Sequence, residues 1–83
     1  MKLVFLGRFG EMAGGRLADI ALPSGVGTLA SLKDWLARAE PELARAMAAT
    51  PTQIAVNQLL VRDPNHPVSD RDEIAFLPPM SGG

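Results

Sequence analysis

The clearest periodic pattern in this sequence is a helical stripe in its middle, with strand-like residues on both sides. Leu29, Leu32, Leu36 and Ala39 recur at intervals of three and four residues, so they lie on one face of a predicted helix. Thr28, just before the stripe, is a suitable N-cap. A helix of this kind must bury its apolar face against another element, and the flanking strands can supply that element.

A second, shorter helix is predicted directly after the first. Pro41 ends the first helix, because a proline ring clashes with the preceding turn. The same residue suits the first position of a new helix, which Leu43 and Met47 can anchor and which ends near Thr50.

The remaining chain divides into strand-like stretches and a glycine-rich loop. Residues 3–6 and residues 16–22 each have the composition or alternation of a strand. Residues 53–61 predict a strand pair with an internal turn, and residues 73–77 predict the last strand. Residues 7–15 contain four glycines and are predicted to form a loop with at most a helical turn.

This order of two strands, two helices and further strands predicts an α+β fold. We expect a small mixed sheet with one main helix packed on one face. A chain of 83 residues is long enough for one domain with one modest core. We assign residues 1–77 to this domain and residues 78–83 to an extended tail. The sheet face opposite the helix is then free, and a second apolar set on that face would mark a contact surface.

The composition argues against several classes of function. The net charge is −1, the pI is near 5.7 and no basic run is present, so there is no electrostatic case for nucleic acid or an anionic membrane. The chain has no cysteine, which removes disulfides, thiolate metal sites and cysteine nucleophiles. It has no signal-peptide pattern and no apolar stretch of membrane-spanning length, so we expect a cytoplasmic protein.

Three motif-like features are better explained structurally. GVGTLA at residues 25–30 matches a nucleotide-binding pattern by letter, but the βαβ unit that this pattern needs is not predicted. His66 is the only histidine and cannot make a metal site without partners. Asp70, Asp72 and Glu73 are interpreted as a solvated turn rather than as paired catalytic carboxylates. We therefore expect no metal site, no bound cofactor and no conventional catalytic set.

The last six residues, PPMSGG, have the composition of a terminus that is presented to a partner. A C-terminal carboxylate has a pKa of roughly 3.5, so it is ionised at neutral pH, and a partner enzyme could activate it by attaching a nucleotide. Gly82 and Gly83 have no Cβ and can pass a narrow channel. Pro78 and Pro79 favour an extended conformation, which holds the tail away from the domain.

Three segments resemble the family of small, sulfur-carrying subunits of molybdopterin synthase. DEIAFLPPMSGG at residues 72–83 is similar to the C-terminal signature of that family. AVNQLLV at residues 55–61 is similar to its internal strand motif, and LVFLGRFGEMAG at residues 3–14 resembles its opening strand and loop. The loop that contains His66 and Pro67 also fits, whereas the helical middle is generic.

The resemblance implies a ubiquitin-like β-grasp fold, which agrees with the predicted order of elements. It implies that Gly83 is adenylated by an E1-like enzyme that uses ATP and Mg²⁺, and is then converted to a thiocarboxylate, with Gly82 as the slim residue behind it. It also implies a large catalytic subunit that binds the carrier in a heterotetramer of two small and two large subunits. That subunit would use the sulfur to build the dithiolene of molybdopterin, so the chain alone would not be an enzyme.

The resemblance further implies a surface that contacts both partners. Its residues are an exposed apolar patch and the tail that follows it: Leu6, Leu60, Leu77, Pro78, Pro79, Met80 and Ser81. The alternation of the last strand agrees for Leu77, because Ile74 and Phe76 take the core side.

Three positions depart from the family pattern. Gly10 stands where the family usually has an arginine, which leaves Arg8 as the candidate for the partner salt bridge of that arginine. Arg71 stands where the family often has glycine, so we expect the turn to differ or to hold a strained residue. Leu77 replaces an aromatic residue and is still apolar.

Three other functions stay open on the sequence alone. A sulfur carrier for thiamine thiazole or for tRNA thiolation would share the fold and the terminal Gly-Gly, although we expect its tail to lack the F-x-P-P pattern. A protein modifier would use Gly83 to form isopeptide bonds with lysines, because an activated acyl group can meet sulfide or an amine. A plain interaction domain would leave the tail unused.

Overall fold

The computed structural model describes residues 1–15 and 18–79, which form three helices and a four-stranded sheet. The helices are α1 (Arg8–Ala13), α2 (Leu29–Ala39) and α3 (Pro41–Ala48), and the strands are β1 (Lys2–Phe5), β2 (Gln53–Val56), β3 (Leu59–Leu60) and β4 (Glu73–Leu77). The sheet order is β1-β4-β2-β3, with β4 parallel to β1 and antiparallel to β2, and with β2 antiparallel to β3. This mixed sheet with its helices is the predicted α+β arrangement.

Helix α2 forms where the stripe predicts it. Leu29, Leu32 and Leu36 are buried, whereas Ala39 at the end of the stripe is exposed. Thr28 begins the helix with a capping box, in which its Oγ1 accepts from the Ser31 N–H and the Ser31 Oγ accepts from the Thr28 N–H. The predicted N-cap is therefore correct.

Helix α3 and one face of the sheet complete the core. The helix begins at Pro41, as predicted, and it buries Leu43 while Met47 packs against the core from its edge. The sheet contributes five buried side chains to the core cluster, which are Leu3, Ile54, Val56, Ile74 and Phe76, while Ala55 is buried on the other face. All five lie on alternate positions of their strands, so the core lies on one side of the sheet.

The predicted second strand is wrong in the part of the chain that the structure describes. Residues 18–22 make a single antiparallel bridge there, between Asp19 and Lys2. Two backbone hydrogen bonds flank this bridge, from the Leu3 N–H to the Ala18 carbonyl and from the Ile20 N–H to the Met1 carbonyl, and beyond them the N–H of Leu22 donates to the Asp70 carboxylate. The first two residues of the predicted strand, 16 and 17, lie outside the described residues.

Helix α1 takes the place of the predicted loop after β1. Phe9 and Ala13 are buried and lie four residues apart, so they share one helix face. Gly10 permits the helix to approach β1, because an added Cβ would lie 2.5 Å from the carbonyl oxygen of Phe5. Gly14 then ends the helix in the left-handed conformation, at φ 61°. The glycines that suggested a loop are thus part of the helix and of its end.

The turn between β2 and β3 is held against β4 by one asparagine. Asn57 and Gln58 have φ values of 51° and 72°, and positive φ at both central residues is the requirement of a type I′ turn. The Nδ2 of Asn57 donates to Asp72 at 2.9 Å, and its Oδ1 accepts from the Glu73 N–H at 2.9 Å. The asparagine of the internal strand motif therefore has a structural role.

Candidate functional site

The strand that leads into the tail is fixed on both sides. Strands β1 and β4 are parallel and end at the same edge of the sheet. The ladder continues past β1, because the Leu6 N–H donates to the Phe76 carbonyl at 3.1 Å. The rings of Phe5 and Phe76 stack with centroids 5.0 Å apart, and Leu77 pairs with Gln53 of β2. The tail therefore follows Leu77, the last residue of a strand that is paired on both sides.

The tail itself begins directly after β4. Pro78 is half-buried and Pro79 is exposed. The other predicted tail residues, which are Met80, Ser81, Gly82 and Gly83, lie outside the described residues. The roles assigned to them stay predictions.

The sheet face away from the core carries two rows of side chains, which cross-strand pairing places side by side. The first row is Val4, Ala75, Ala55 and Leu60. The second row is nearer the tail and consists of Leu6, Leu77 and Gln53. The middle of this face carries small alanines, and its borders carry larger apolar side chains. The middle is therefore lower than the borders. We call the six apolar residues of these rows the outer apolar surface: Val4, Leu6, Ala55, Leu60, Ala75 and Leu77.

The three leucines predicted as a partner patch all belong to the outer apolar surface. Leu6 is 42% exposed and Leu60 is 60% exposed, while Leu77 is half-buried beside them in the register. Their role in partner binding stays a prediction. The alternation of the last strand predicts Ala75 on the same face as Leu77, whereas Ala55, which pairs with Ala75, was not singled out from the sequence.

Leu59 is more exposed than these leucines but belongs to the opposite side. Its side chain is 72% exposed, and its pairing with Val56 places it on the face of the sheet that carries the core. Residues 59 and 60 thus point to opposite faces of one short edge strand. Only Leu60 is continuous with the outer apolar surface.

The acidic residues before β4 accept hydrogen bonds from distant parts of the fold. Asp70 accepts from the Leu22 N–H at 2.8 Å and from the ammonium group of Met1 at 3.2 Å. The bond from Leu22, together with the bond and charge of the ammonium, lowers the pKa of Asp70. Asp72 accepts from Asn57 and from the Ser69 N–H, and these bonds lower the pKa of Asp72 against the opposing effect of burial. The structural interpretation of this cluster therefore fits its hydrogen bonds.

The turn that contains Arg71 is unstrained. Among the described residues, the non-glycine residues with positive φ are Asn57 and Gln58, so Arg71 has an ordinary backbone conformation. The Asp72 N–H donates to the Ser69 carbonyl at 3.1 Å and closes the turn without glycine. Of the two expectations for this position, the strained residue is wrong and the different turn remains.

The glycine-containing segment at residues 25–30 leads into a helix end whose donors are already engaged. The Leu29 N–H donates to the His66 carbonyl at 3.0 Å, and the Ala30 N–H donates to the Pro64 carbonyl at 2.8 Å. The next N–H, that of Ser31, donates to Thr28 Oγ1. A phosphate would need these groups, so the geometry favours the structural interpretation of both this segment and the loop of His66.

The described residues show neither a cluster of metal ligands nor a membrane-spanning helix. Within residues 1–15 and 18–79, no group of three or more His, Asp or Glu side chains is placed to hold a metal ion. No helix in this part of the chain is long and apolar enough to cross a membrane.

Comparison with known proteins gives one family and one fold. The chain matches the ThiS family over residues 3–83. Over 83 residues it is 32% identical to the molybdopterin synthase sulfur carrier subunit of Escherichia coli strain K12, and the alignment covers all of this chain and 99% of that protein. The crystal structure of SAMP1 from Haloferax volcanii matches with a TM-score of 0.71 at 22% identity, over 98% of this chain and 96% of that chain. At 22% identity, the similarity to the SAMP1 structure shows the fold alone.

The mixed sheet and its covering helices therefore define a ubiquitin-like β-grasp protein, which confirms the predicted fold class. The chain belongs to the ThiS family, and it is a sulfur-carrier protein of the ubiquitin-like type. The family resemblance drawn from the tail, the internal strand motif and the opening strand is confirmed.

Proposed function

We propose that this chain is the sulfur-carrier subunit of a molybdopterin synthase and acts in molybdenum cofactor biosynthesis. The observation that carries the proposal is the full-length relationship to the Escherichia coli carrier, which covers every residue of this chain and 99% of that protein. The geometry of the described residues supports it, because the tail starts from a fixed strand pair beside an exposed apolar surface.

The proposed chemistry takes place at the carboxylate of Gly83. In the active site of an E1-like partner, this carboxylate attacks the α-phosphate of ATP, and pyrophosphate leaves with Mg²⁺. Hydrosulfide from a sulfur source then attacks the acyl carbon, a C–S bond forms and the C–O bond to AMP breaks, which gives a thiocarboxylate. The thiocarboxylate sulfur next bonds to a carbon of the molybdopterin precursor and displaces an oxygen substituent there, and water then cleaves the acyl C–S bond, which leaves the sulfur on the precursor and restores the carboxylate of Gly83.

The chain supplies the acyl group and its presentation, whereas the partners supply the catalysis. Gly82 adds no side chain behind the reacting carbon, so the end of the tail can enter a narrow channel. Pro78 and Pro79 limit the tail to extended conformations, and Met80 and Ser81 are the proposed contacts inside the channel. On this account the chain binds no cofactor itself, and ATP is bound by the activating partner.

The outer apolar surface is the proposed docking surface for both partners. Leu6 and Leu60 gain burial only from another molecule, so covering them favours association. Since the activating enzyme and the large synthase subunit would use the same residues, they would bind one at a time. The proposed synthase contains two small and two large subunits, and the proposed compartment is the cytoplasm.

Reconstitution tests the proposal against the related functions. The chain is first loaded by an E1-like enzyme with ATP and a sulfur source, and is then mixed with the large subunit of molybdopterin synthase and the molybdopterin precursor. We expect dithiolene formation from the loaded chain and none from the unloaded chain. A parallel reaction contains a thiazole synthase instead. Sulfur transfer in the parallel reaction alone, or attachment of the chain to lysines, would contradict the proposal.

A further inference from the structure

Gly7 lies between β1 and α1 in a backbone conformation that only glycine adopts easily. Its φ is 56° and its ψ is −136°, and an L-residue with a Cβ is strained in this region. Gly7 is thus the residue at which the chain turns out of the sheet, beside the point where the tail leaves it. On the sequence alone, this glycine is only part of the loop predicted at residues 7–15.

Pro78, the first residue of the tail and here called its root, packs against Gly7. A Cβ added at Gly7 would lie 3.1 Å from Cγ and 3.9 Å from Cδ of Pro78. The first distance is shorter than an ordinary contact between carbon atoms, which is about 3.5 to 4.0 Å. The missing side chain therefore leaves the space that the ring of Pro78 occupies.

The Gly7 side of this contact is held in place by the backbone. The Phe9 N–H donates to the Leu6 carbonyl at 3.2 Å, and the Gly10 N–H donates to the Gly7 carbonyl at 3.0 Å. Gly10 is itself confined, because it lies close against the Phe5 carbonyl. Pro78 has fewer restraints, since it follows the last residue of β4 and has no N–H to donate. A side chain at position 7 would therefore displace Pro78 rather than the turn.

We propose that Gly7 is a positioning residue for sulfur transfer, which sets the direction in which the tail leaves the domain by admitting the ring of Pro78. This inference rests on the proposed function, because it concerns the delivery of Gly83. Five residues separate Pro78 from the end of the chain. Five residues span at most about 16 Å at roughly 3.3 Å each, and over such a span a tilt of about 10° at Pro78 displaces the far end by about 3 Å. A displacement of about 1 Å can already lower a rate about a hundredfold.

The test compares Gly7→Ala with Gly25→Ala. Gly25 also has a positive φ, of 83°, but an added Cβ there meets nothing within 4 Å, so the control keeps the backbone strain and omits the contact. Thiocarboxylate formation is followed by mass spectrometry under single-turnover conditions across a range of E1-like enzyme concentrations. All proteins are assayed at a temperature at which circular dichroism shows them folded.

We expect Gly7→Ala to lower the maximal rate about tenfold or more, while the enzyme concentration for half-maximal rate stays within about twofold. The reason is that the outer apolar surface, which governs docking, is unchanged. Gly25→Ala should change neither value by more than about twofold. A loss of docking without a loss of maximal rate, or equal losses in the two variants, would overturn the inference.

A double-mutant cycle with Pro78→Ala identifies the contact itself. Alanine lacks the Cγ that the new side chain would meet, so Gly7→Ala should cost less in the Pro78→Ala background than in the wild type. Equal costs in both backgrounds would show that the two residues act independently, against the inference. If Gly7→Ala does not fold, the comparison of Pro78→Ala with Pro79→Ala decides, because only Pro78 contacts position 7 and should therefore give the larger loss of maximal rate. A wild-type chain that acquires no sulfur at all would instead reject the proposed function, and the positioning role with it.

Discussion

Leu60 and Ile74 are apolar residues of the same sheet, but one is placed for association with another molecule and the other for folding. Ile74 is fully buried, so removing it from water contributes to folding. Leu60 is 60% exposed on the opposite face, so most of its apolar area can be buried only by another molecule. Substitutions at these two positions should therefore affect different equilibria.

The first prediction uses this difference. Leu60→Asp should change the free energy of unfolding by no more than about 0.5 kcal/mol, because the site is exposed. It should weaken binding of the large synthase subunit about tenfold or more, because a charge would be desolvated in the interface. Chemical unfolding and titration calorimetry measure the two effects, with Ile74→Asp as a matched control that should fail to fold. Unfolding of Leu60→Asp, or unchanged affinity, would place Leu60 outside the docking surface.

A second prediction concerns the pH dependence of Asp70. The Leu22 N–H and the ammonium of Met1 lower its pKa in the folded state, so below the ordinary aspartate pKa of about 3.9 the unfolded chain binds more protons. The contribution of Asp70 to stability is then fully present above that value and is lost as the pH falls through the folded pKa. We expect Asp70→Asn to be less stable near neutral pH and to lose less stability between about pH 4 and pH 2. Thermal unfolding at a series of pH values checks this. If the stabilities of the two proteins fall by the same amount between about pH 4 and pH 2, the prediction is contradicted.

At the scale of elements, a periodic pattern predicted the helix or strand correctly only where the periodicity alone accounts for which residues are buried. Helix α2 was predictable because its three buried leucines follow a helical period and Thr28 caps its start. The alternation of β4 was predictable for the same reason. The second predicted strand is a single bridge in the described residues, and its Leu22 N–H bonds to the side chain of Asp70, which lies 48 residues away. No local pattern contains such a contact.

Helix α1 and the outer apolar surface were hidden for related reasons. The buried pair Phe9 and Ala13 has a helical spacing, but glycines between and around them lower the helix propensity of the segment. The outer surface depends on the order of strands in the sheet, which brings residues from both ends of the sequence into one register. The candidate patch residues were therefore found through resemblance, whereas the strand order that places Ala55 and Ala75 between them needed the structure.

The third prediction tests the close approach of α1 to β1. Gly10→Ala would place a Cβ 2.5 Å from the backbone oxygen of Phe5, so the helix must shift. We expect a loss of about 1 to 3 kcal/mol in the free energy of unfolding, which is the usual cost of overpacking. Gly27→Ala is the matched control, because an added Cβ meets nothing within 4 Å there. Urea unfolding of both variants measures the difference, and equal stabilities would show that α1 does not need glycine.

At the scale of the whole molecule, the proposed function assigns docking to the domain and reaction to the tail. The core lies between the helices and one sheet face, while the outer face and the tail root lie on the other side and at one edge. Changes at the last residue should therefore affect chemistry without affecting the fold. This separation is the central claim, and it does not follow from the fold alone, because the same fold can serve unrelated functions.

The most direct test is mass spectrometry of the chain after incubation with an E1-like activating enzyme, ATP, Mg²⁺ and a sulfur source. We compare the wild type with a chain that lacks Gly83 and with a chain that carries one added residue after it. We expect replacement of one oxygen by sulfur at Gly83 of the wild type, no replacement in either variant, and equal thermal midpoints for all three. The reason is that one residue moves the reacting carbon by roughly 3 Å. Sulfur on the extended chain without prior trimming, or a wild-type chain that stays a carboxylate, would contradict the account.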